Sequence, residues 1–243
     1  MKIIFNADDY GYSKGVNLGI IEAFQNGIVR SATMMANTPG FDHGVRLLES
    51  SPDLKIGVHL VLTHGRSLGG VYQTITDAKG NFLTLSELTN RANTGQIDLA
   101  EVEQEYTLQI QRILGARIRP THFDGHHHTH LLPGILDITA NFARKHDVAL
   151  RGCNQQIPRG IKTVAFSDDF FGDNSTLEHL ELMLSKCSAD TEFFCHPAYV
   201  DSYLYKKSSY SLGRMGELET LTNPKAKEII DKFGMTLATF ADL

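Results

Sequence analysis

Residues 2–27 read KIIFNADDYGYSKGVNLGIIEAFQNG and combine two patterns of secondary structure. Residues 2–7 form a short apolar run with β-branched side chains, and the polar residues 8–11 interrupt it, which is typical of a buried strand that ends in a loop. Ser13 is a common helix N-cap residue, and the apolar side chains after it recur at helical spacing. Gly27 is predicted to end this helix in a left-handed conformation. The stretch therefore predicts one strand followed by one helix.

The same alternation of strand and helix continues along the chain. Further strands are predicted at residues 29–36, 55–62, 120–123, 148–151, 192–195 and 235–240, and further helices at residues 42–50, 98–114, 133–146, 177–187 and 224–233. Such alternation indicates a largely parallel sheet with helices outside it. We expect one α/β domain over residues 1–243, a distorted (β/α) barrel similar to a TIM barrel. A doubly wound open sheet is the alternative, because periodicity does not distinguish a closed sheet from an open one.

Two segments interrupt the regular pattern. Residues 63–97 are rich in Gly, Thr, Asn and Ser and are long for a simple connection, so we interpret them as a lid or insertion. An aromatic residue of this lid, such as Tyr72 or Phe82, is predicted to stack on a ring of the ligand. Residues 152–174 are also irregular. Loops of this kind are expected to shape the ligand pocket.

Composition excludes several classes of protein. The chain has 243 residues, of which 42% are hydrophobic, and its net charge is −5, so it lacks the basic excess of a nucleic-acid-binding protein. The three cysteines form no CxxC pair, which is typical of a reducing compartment. The amino terminus does not resemble a signal peptide, and no stretch approaches the roughly 20 apolar residues of a membrane span. We therefore expect a cytoplasmic protein that does not bind membranes.

Polar residues follow four of the predicted strands. They are Asp8 and Asp9 after the first strand, His59 in the third, residues 124–130 after the strand at 120–123, and His196 after the strand at 192–195. Loops at the carboxyl ends of parallel strands meet on one face of a (β/α) barrel and build its active site. These distant residues are therefore predicted to share one site.

Adjacent carboxylates at Asp8 and Asp9 suggest a cation between them. Neighbouring residues of a strand point to opposite faces, so both reach one site only if the strand bends before Gly11. Two close carboxylates repel each other unless a positive charge lies nearby. In that case one Asp would bind a metal and the other would act as a general base. The alternative is a simple turn whose side chain caps the next helix.

Residues 124–130, Asp-Gly-His-His-His-Thr-His, carry the strongest signal. His126, His128 and His130 would share a face of an extended segment, whereas His126 and His130 would share a face of a helix. Such a cluster usually serves a metal or proton transfer, because crowded imidazoles repel each other when protonated. Asp124 is a candidate acceptor that fixes the tautomer of a histidine. A surface histidine tract without function is the alternative.

Two isolated histidines complete the candidate site. His59 lies in an apolar strand, where a buried core histidine and a metal ligand are both possible readings. His196 precedes Pro197, which favours an extended strand end, and it is either a proton donor or a cap of the sheet edge. Two His and one carboxylate leave positions open around a metal, as in catalytic rather than structural sites. Zinc suits such a site, and magnesium, manganese, cobalt and nickel remain open.

The motifs occur together, and in this order, in a known family. They are residues 6–11 (NADDYG), 15–17 (GVN), 27–29 (GIV), 57–60 (GVHL), 120–130 (PTHFDGHHHTH) and 195–201 (CHPAYVD). On these motifs the chain resembles the YdjC-like carbohydrate deacetylases, which include chitooligosaccharide deacetylases. The resemblance implies a distorted (β/α) barrel that removes acetyl groups from N-acetylglucosamine units with a divalent metal ion. It also implies that Asp9, His59 and His126 are the metal ligands.

A mechanism follows from that resemblance and from the chemistry of the side chains. Asp8 would take a proton from the attacking water, and His196 would protonate the departing amine, with His128 or His130 as less favoured donors. The predicted substrate contacts are His128, His130, Arg151, Tyr199 and Asp201. Chitobiose or its phosphorylated form is the expected kind of ligand.

Other readings of the same residues stay open. The alternatives are a metal-dependent amidohydrolase or phosphoesterase with a non-sugar substrate, and a sugar-binding relative without activity. A homodimer is compatible with an exposed apolar helix face on the barrel.

Overall fold

A parallel β-sheet forms the centre of the computed structural model, which describes all 243 residues. One of its interior strands contains the predicted apolar run at residues 2–7, which is buried after Lys2 and continues through Tyr10. The eight strands are β1 (Lys2–Tyr10), β2 (Ser31–Met34), β3 (Lys55–Leu60), β4 (His122–Gly125), β5 (Ala149–Leu150), β6 (Ala165–Ser167), β7 (Thr191–Cys195) and β8 (Thr236–Leu237).

The strands lie in the order β5-β4-β3-β2-β1-β7-β6, and β8 pairs with the start of β1. Every pairing is parallel, so the carboxyl ends of the strands share one edge. Between the outermost strands, the N–H of Leu150 donates to the carbonyl of Lys162, and Asn154 exchanges two hydrogen bonds with the backbone of Phe166. Hydrogen bonds of irregular backbone, rather than a strand pair, thus connect the two outermost strands. The predicted single-domain, distorted (β/α) barrel is confirmed.

Helices pack outside the sheet as the alternation predicts. Ser13 accepts a hydrogen bond from the N–H of Val16 and Asp98 accepts one from Ala100, which confirms both predicted N-caps. The nine helices are α1 (Lys14–Gln25), α2 (Phe41–Leu48), α3 (Leu85–Asn93), α4 (Leu99–Gly115), α5 (Ile135–His146), α6 (Leu177–Lys186), α7 (Ser202–Lys207), α8 (Gly213–Thr222) and α9 (Pro224–Lys232).

The end of α1 differs from the prediction. Gly27 is not left-handed; instead the helix ends at Gln25 and the N–H of Asn26 donates to the carbonyl of Glu22. A Cβ atom on Gly27 would lie only 2.3 Å from the carbonyl oxygen of Leu221. Glycine is needed here because the backbone of α8 approaches closely, and not because of its φ angle.

Two acidic side chains of α4 accept hydrogen bonds from the segment 63–97. Buried Glu105 accepts hydrogen bonds from the N–H groups of Leu68 and Gly69, and Glu101 accepts from those of Gln73 and Thr74. The segment also contains α3, whose capping box was not predicted.

A single large cluster of 50 buried residues joins the sheet to its helices. It draws side chains from most strands and helices, which is consistent with one domain. None of the helices combines the length and the apolar character that crossing a lipid bilayer would require.

Candidate metal centre and active site

A cavity of about 550 Å³ opens at the carboxyl ends of β1, β3, β4 and β7. This volume lies within the range of about 300–1,000 Å³ that is common for small-molecule sites. The three predicted metal ligands and the favoured general base and acid line it: Asp8, Asp9, His59, His126 and His196. The topology therefore brings together residues that lie far apart in the sequence.

A bulge at the end of β1 turns both aspartates into this cavity. Asp9 has a left-handed backbone with φ of 69°, and the register with β2 shifts between Ala7 and Tyr10. The predicted bend before Gly11 is present, and it lies at Asp9. A non-glycine residue in this conformation costs roughly 1–3 kcal/mol, and such strain clusters at functional sites.

One oxygen of Asp9 faces two imidazole nitrogens. Its Oδ1 lies 3.3 Å from Nε2 of His59 and 3.0 Å from Nδ1 of His126, yet it is buried and has no hydrogen-bond partner. The other oxygen, Oδ2, is 2.7 Å from Nη2 of Arg214. An unpartnered carboxylate oxygen between two imidazoles is a suitable ligand set for a divalent cation. These three residues are one of the two groups whose ligand atoms converge closely enough to hold a metal.

The charges around Asp9 keep it ionised. Burial by itself would raise the pKa of Asp9, but the nearby Arg214 and His126 lower that pKa well below its usual value. Asp9 is thus a carboxylate, which is the form that binds a cation.

His59 is oriented by Asp124. The Nδ1 atom of His59 lies 2.8 Å from Oδ1 of Asp124, which leaves Nε2 directed at Asp9. Burial would lower the pKa of His59, but the negative charges of Asp124, Asp9 and Asp8 raise it to about 10. This environment favours a positive charge, which a metal ion can supply in place of a proton. Asp124 thus forms the predicted hydrogen bond to a histidine.

Arg151 lies beneath the site and pairs with three carboxylates. Its Nη1 and Nη2 lie 2.6 and 2.7 Å from the two oxygens of Asp8, and it also contacts Asp124 at 2.8 Å and Glu192 at 2.6 Å. Burial opposes ionisation of Asp8, but Arg151 and nearby histidines hold its pKa below the usual value. Burial raises the pKa of Glu192 to about 7 despite Arg151. Removing Arg151 would leave buried carboxylates without a counter-charge, a change that typically costs about 3–5 kcal/mol.

The histidine cluster adopts neither predicted geometry. Residues 126–131 form a 3-10 turn in which His127 and His128 both have φ of 55°, a left-handed conformation. His126, His127 and His128 consequently line the cavity, whereas His130 is fully buried and its Nε2 lies 3.1 Å from the carbonyl oxygen of Arg151. Burial lowers the pKa of His128 to about 4, so its ring is neutral near pH 7.

Most of the predicted substrate contacts lie away from the cavity. Arg151 and His130 are buried and do not line it, and Tyr199 is 48% exposed and does not line it either. Asp201 caps α7 and accepts a hydrogen bond from the N–H of Gly15. These four side chains do not line the cavity, so we assign them no direct contact with a ligand there. Of the five predicted substrate contacts, only His128 lines the cavity.

The two aromatic residues predicted to stack on a ligand ring are buried instead. Tyr72 and Phe82 are 7% and 9% exposed and pack into the main core. Within the segment 63–97, the residues that line the cavity are Thr63, His64 and Leu85.

Several residues that line the cavity were not predicted. Arg214 and Tyr210 come from α8 and the loop before it, and Tyr12 stacks on His64 with ring centroids 4.5 Å apart. The sequence of α8, GRMGELETLT, has two glycines and no continuous apolar stripe, so it was not recognised as a helix. The pair Arg214 and Glu217 at i,i+3 was a possible signal, because both lie on one helical face.

The fold and this geometry define a (β/α)-barrel protein with a candidate single-metal centre at the carboxyl edge of its strands. A family model described as YdjC-like protein matches residues 2–232. The chain belongs to the YdjC-like family.

Relatives in this family are similar over their full length. A carbohydrate deacetylase from Clostridium beijerinckii is 36% identical over 250 residues and covers 100% of both chains. A chitooligosaccharide deacetylase from Yersinia enterocolitica is 38% identical over 254 residues, with 99% of this chain and 98% of the relative covered. The crystal structure of a candidate cellobiose-phosphate cleavage protein from Enterococcus faecalis superimposes with a TM-score of 0.91. That protein is 30% identical, with 99% of this chain and 98% of the other covered.

Proposed function

We propose that this protein is a metal-dependent hydrolase that removes N-acetyl groups from N-acetylglucosamine-containing oligosaccharides, such as chitobiose or its phosphorylated form. The observation that carries this proposal is the position of the Asp8 carboxylate in the same cavity as the Asp9, His59 and His126 set. The names of the relatives, carbohydrate deacetylase and chitooligosaccharide deacetylase, support both the reaction and the class of substrate.

Asp9, His59 and His126 would hold one divalent cation through Oδ1, Nε2 and Nδ1. A bound cation polarises the amide carbonyl and stabilises the negative charge that develops on its oxygen. Magnesium and zinc are the first candidates, and manganese, cobalt and nickel also suit a site with one carboxylate and two imidazoles.

Asp8 would serve as the general base. Arg151 holds both of its oxygens and keeps it ionised, which is the unprotonated form that a general base requires. As the water oxygen bonds to the carbonyl carbon, the π pair of the C=O bond moves onto the carbonyl oxygen and one water proton passes to Asp8. The Asp8 side chain also lines the cavity, where a ligand can reach it.

His196 would serve as the general acid. It lines the same cavity, at the end of β7. As the C–N bond breaks, a proton passes from His196 to the amine nitrogen, and the products are acetate and a free amino sugar.

The segment 63–97 would form part of a lid over the ligand. The residues Thr63, His64 and Leu85 reach the cavity wall and support this role.

The structure favours one cation rather than two. A second group of converging ligand atoms consists of Asp8, His59 and Asp124. Nη1 of Arg151 lies 2.6 Å from Asp8 and 2.8 Å from Asp124, so the guanidinium already occupies the space between these two carboxylates. A phosphoesterase of the two-metal type would need that second position. This observation supports the deacetylase over the phosphoesterase reading.

Acetate release tests the proposal. Protein stripped with a chelator is assayed with chitobiose and with phosphorylated chitobiose, first without metal and then with single divalent cations. We expect acetate and free amine in equal amounts, and only after a cation is added. The same samples should leave 4-nitrophenyl phosphate intact. Undiminished acetate release in excess chelator, or phosphate release without acetate, would contradict the proposal.

A further inference from the structure

A buried acid lies behind the proposed proton donor. Glu217 of α8 is fully buried, and its Oε2 accepts a hydrogen bond from the backbone N–H of His196. Its Oε1 accepts a second hydrogen bond from the hydroxyl of Tyr210, at 2.6 Å. The only basic side chain within 4.0 Å of this carboxylate is His196. Burying a charged carboxylate costs free energy unless an opposite charge or hydrogen bonds compensate for it. A functional role next to the His196 imidazole would explain why Glu217 is buried there.

The ring of His196 is held with one nitrogen toward Glu217. Its Nδ1 is buried, has no hydrogen-bond partner and lies 3.8 Å from Oε1 of Glu217. The rings of Phe171, Phe194 and Tyr210 meet the imidazole nearly at right angles, with centroids 4.9–5.9 Å away. With Nδ1 on the buried side, Nε2 is the nitrogen available to a ligand in the cavity.

Tyr210 fixes the carboxylate from the other side. Its hydroxyl accepts a hydrogen bond from the N–H of Gly172 at 2.9 Å and donates one to Glu217. Burial and the charge of Glu217 raise the pKa of Tyr210 above its usual value, so the phenol keeps its proton and remains a donor. The Oε1 atom is therefore held close to the imidazole.

We propose that Glu217 is a positioning residue that orients His196 through Nδ1 and stabilises its protonated form, so that Nε2 carries the proton given to the departing amine. This inference rests on the proposed deacetylase function. The distance of 3.8 Å is long for a hydrogen bond, but catalytic hydrogen bonds are often long without substrate and shorten in the complex. A carboxylate behind a histidine both fixes its tautomer and stabilises the imidazolium.

One turn of α8 would thereby serve both halves of the site. Arg214 contacts the metal ligand Asp9, and Glu217, three residues later, contacts the proton donor His196. This arrangement explains why two charged residues are buried on the same face of a helix.

The test compares two leaving groups in the E217Q variant. An amine must be protonated as it departs, whereas 4-nitrophenolate departs from 4-nitrophenyl acetate without a proton. We expect kcat for acetate release from chitobiose to fall roughly 10- to 100-fold, which is typical of losing the partner that orients a histidine. The KM for chitobiose and the rate with 4-nitrophenyl acetate should stay unchanged. Glu219 is exposed on the same helix, so E219Q is the matched control and should behave like the unmutated protein.

A double variant and a second substitution complete the test. In an H196Q background, E217Q should cause no further loss, because its effect passes through His196. Tyr210→Phe should lower kcat for chitobiose but not for the aryl acetate, and it serves if E217Q does not fold. Equal losses on both substrates, or additive losses with H196Q, would overturn the proposed role of Glu217. They would leave the proposed deacetylase function standing. If the unmutated protein released no acetate from any acetylated sugar, the proposed function would fail with it.

Discussion

The Asp8→Asn variant is expected to lose hydrolysis while it keeps its metal. General base catalysis contributes roughly 10²–10⁴-fold to a rate, so acetate release should fall by that amount. Asparagine has the shape of aspartate and still offers an oxygen to Arg151, which now contacts both Asp8 oxygens at 2.6 and 2.7 Å. Metal content should not change, because Asp9 and not Asp8 faces His59 and His126 together.

The measurement is acetate release and metal content on the same protein samples. Asp137 lies exposed on the surface of α5, so Asp137→Asn changes charge equally and is the matched control. Full activity of Asp8→Asn would show that another group accepts the proton. Loss of metal from this variant would instead show that Asp8 is a ligand.

Replacing His126 by alanine is expected to remove metal and activity together. Its Nδ1 lies 3.0 Å from the unpartnered Oδ1 of Asp9, and it supplies one of the two imidazoles in the candidate ligand set. With one nitrogen and one carboxylate left, we expect dialysed His126→Ala to retain little metal and to release no acetate above background. Elemental analysis of the dialysed protein checks this result.

The informative comparison is His128→Ala. His128 lines the same cavity, but its Nδ1 lies 3.4 Å from Sγ of Cys153 and it does not belong to the Asp9 set. This variant should keep its metal. The reverse pattern, with metal lost from His128→Ala and retained in His126→Ala, would assign the ligand to His128.

The periodicity of the sequence predicted the alternation of strands and helices because each apolar run was short and flanked by recognisable helix caps. Ser13 and Asp98 cap α1 and α4 as expected. The strands β5 and β8 were predicted at greater length than the two residues that each contains, and β6 was not predicted because it lies within the irregular segment 152–174. Closure of the sheet depends on long-range hydrogen bonds such as that of Leu150 to Lys162, which leave no local pattern.

The sequence allowed the candidate site to be predicted where aspartate and histidine side chains stand at the ends of apolar strands. Asp8, Asp9, His59, His126 and His196 lie at or just after the carboxyl ends of strands, and these ends converge in a parallel barrel. The supporting residues were not predictable in this way. Arg151 was expected to contact substrate, but the topology buries it under Asp8. Arg214 and Glu217 lie on a helix whose sequence has no apolar stripe.

A metal titration of acetate release tests the central claim most directly, because the claim requires one cation held by Asp9, His59 and His126. Stripped protein receives increasing amounts of the most activating cation, and the initial rate of acetate release from chitobiose is measured at each step. We predict no rate without cation and a linear rise that saturates at one bound cation per chain. Saturation only at two cations per chain, or full activity in the stripped protein, would contradict the account.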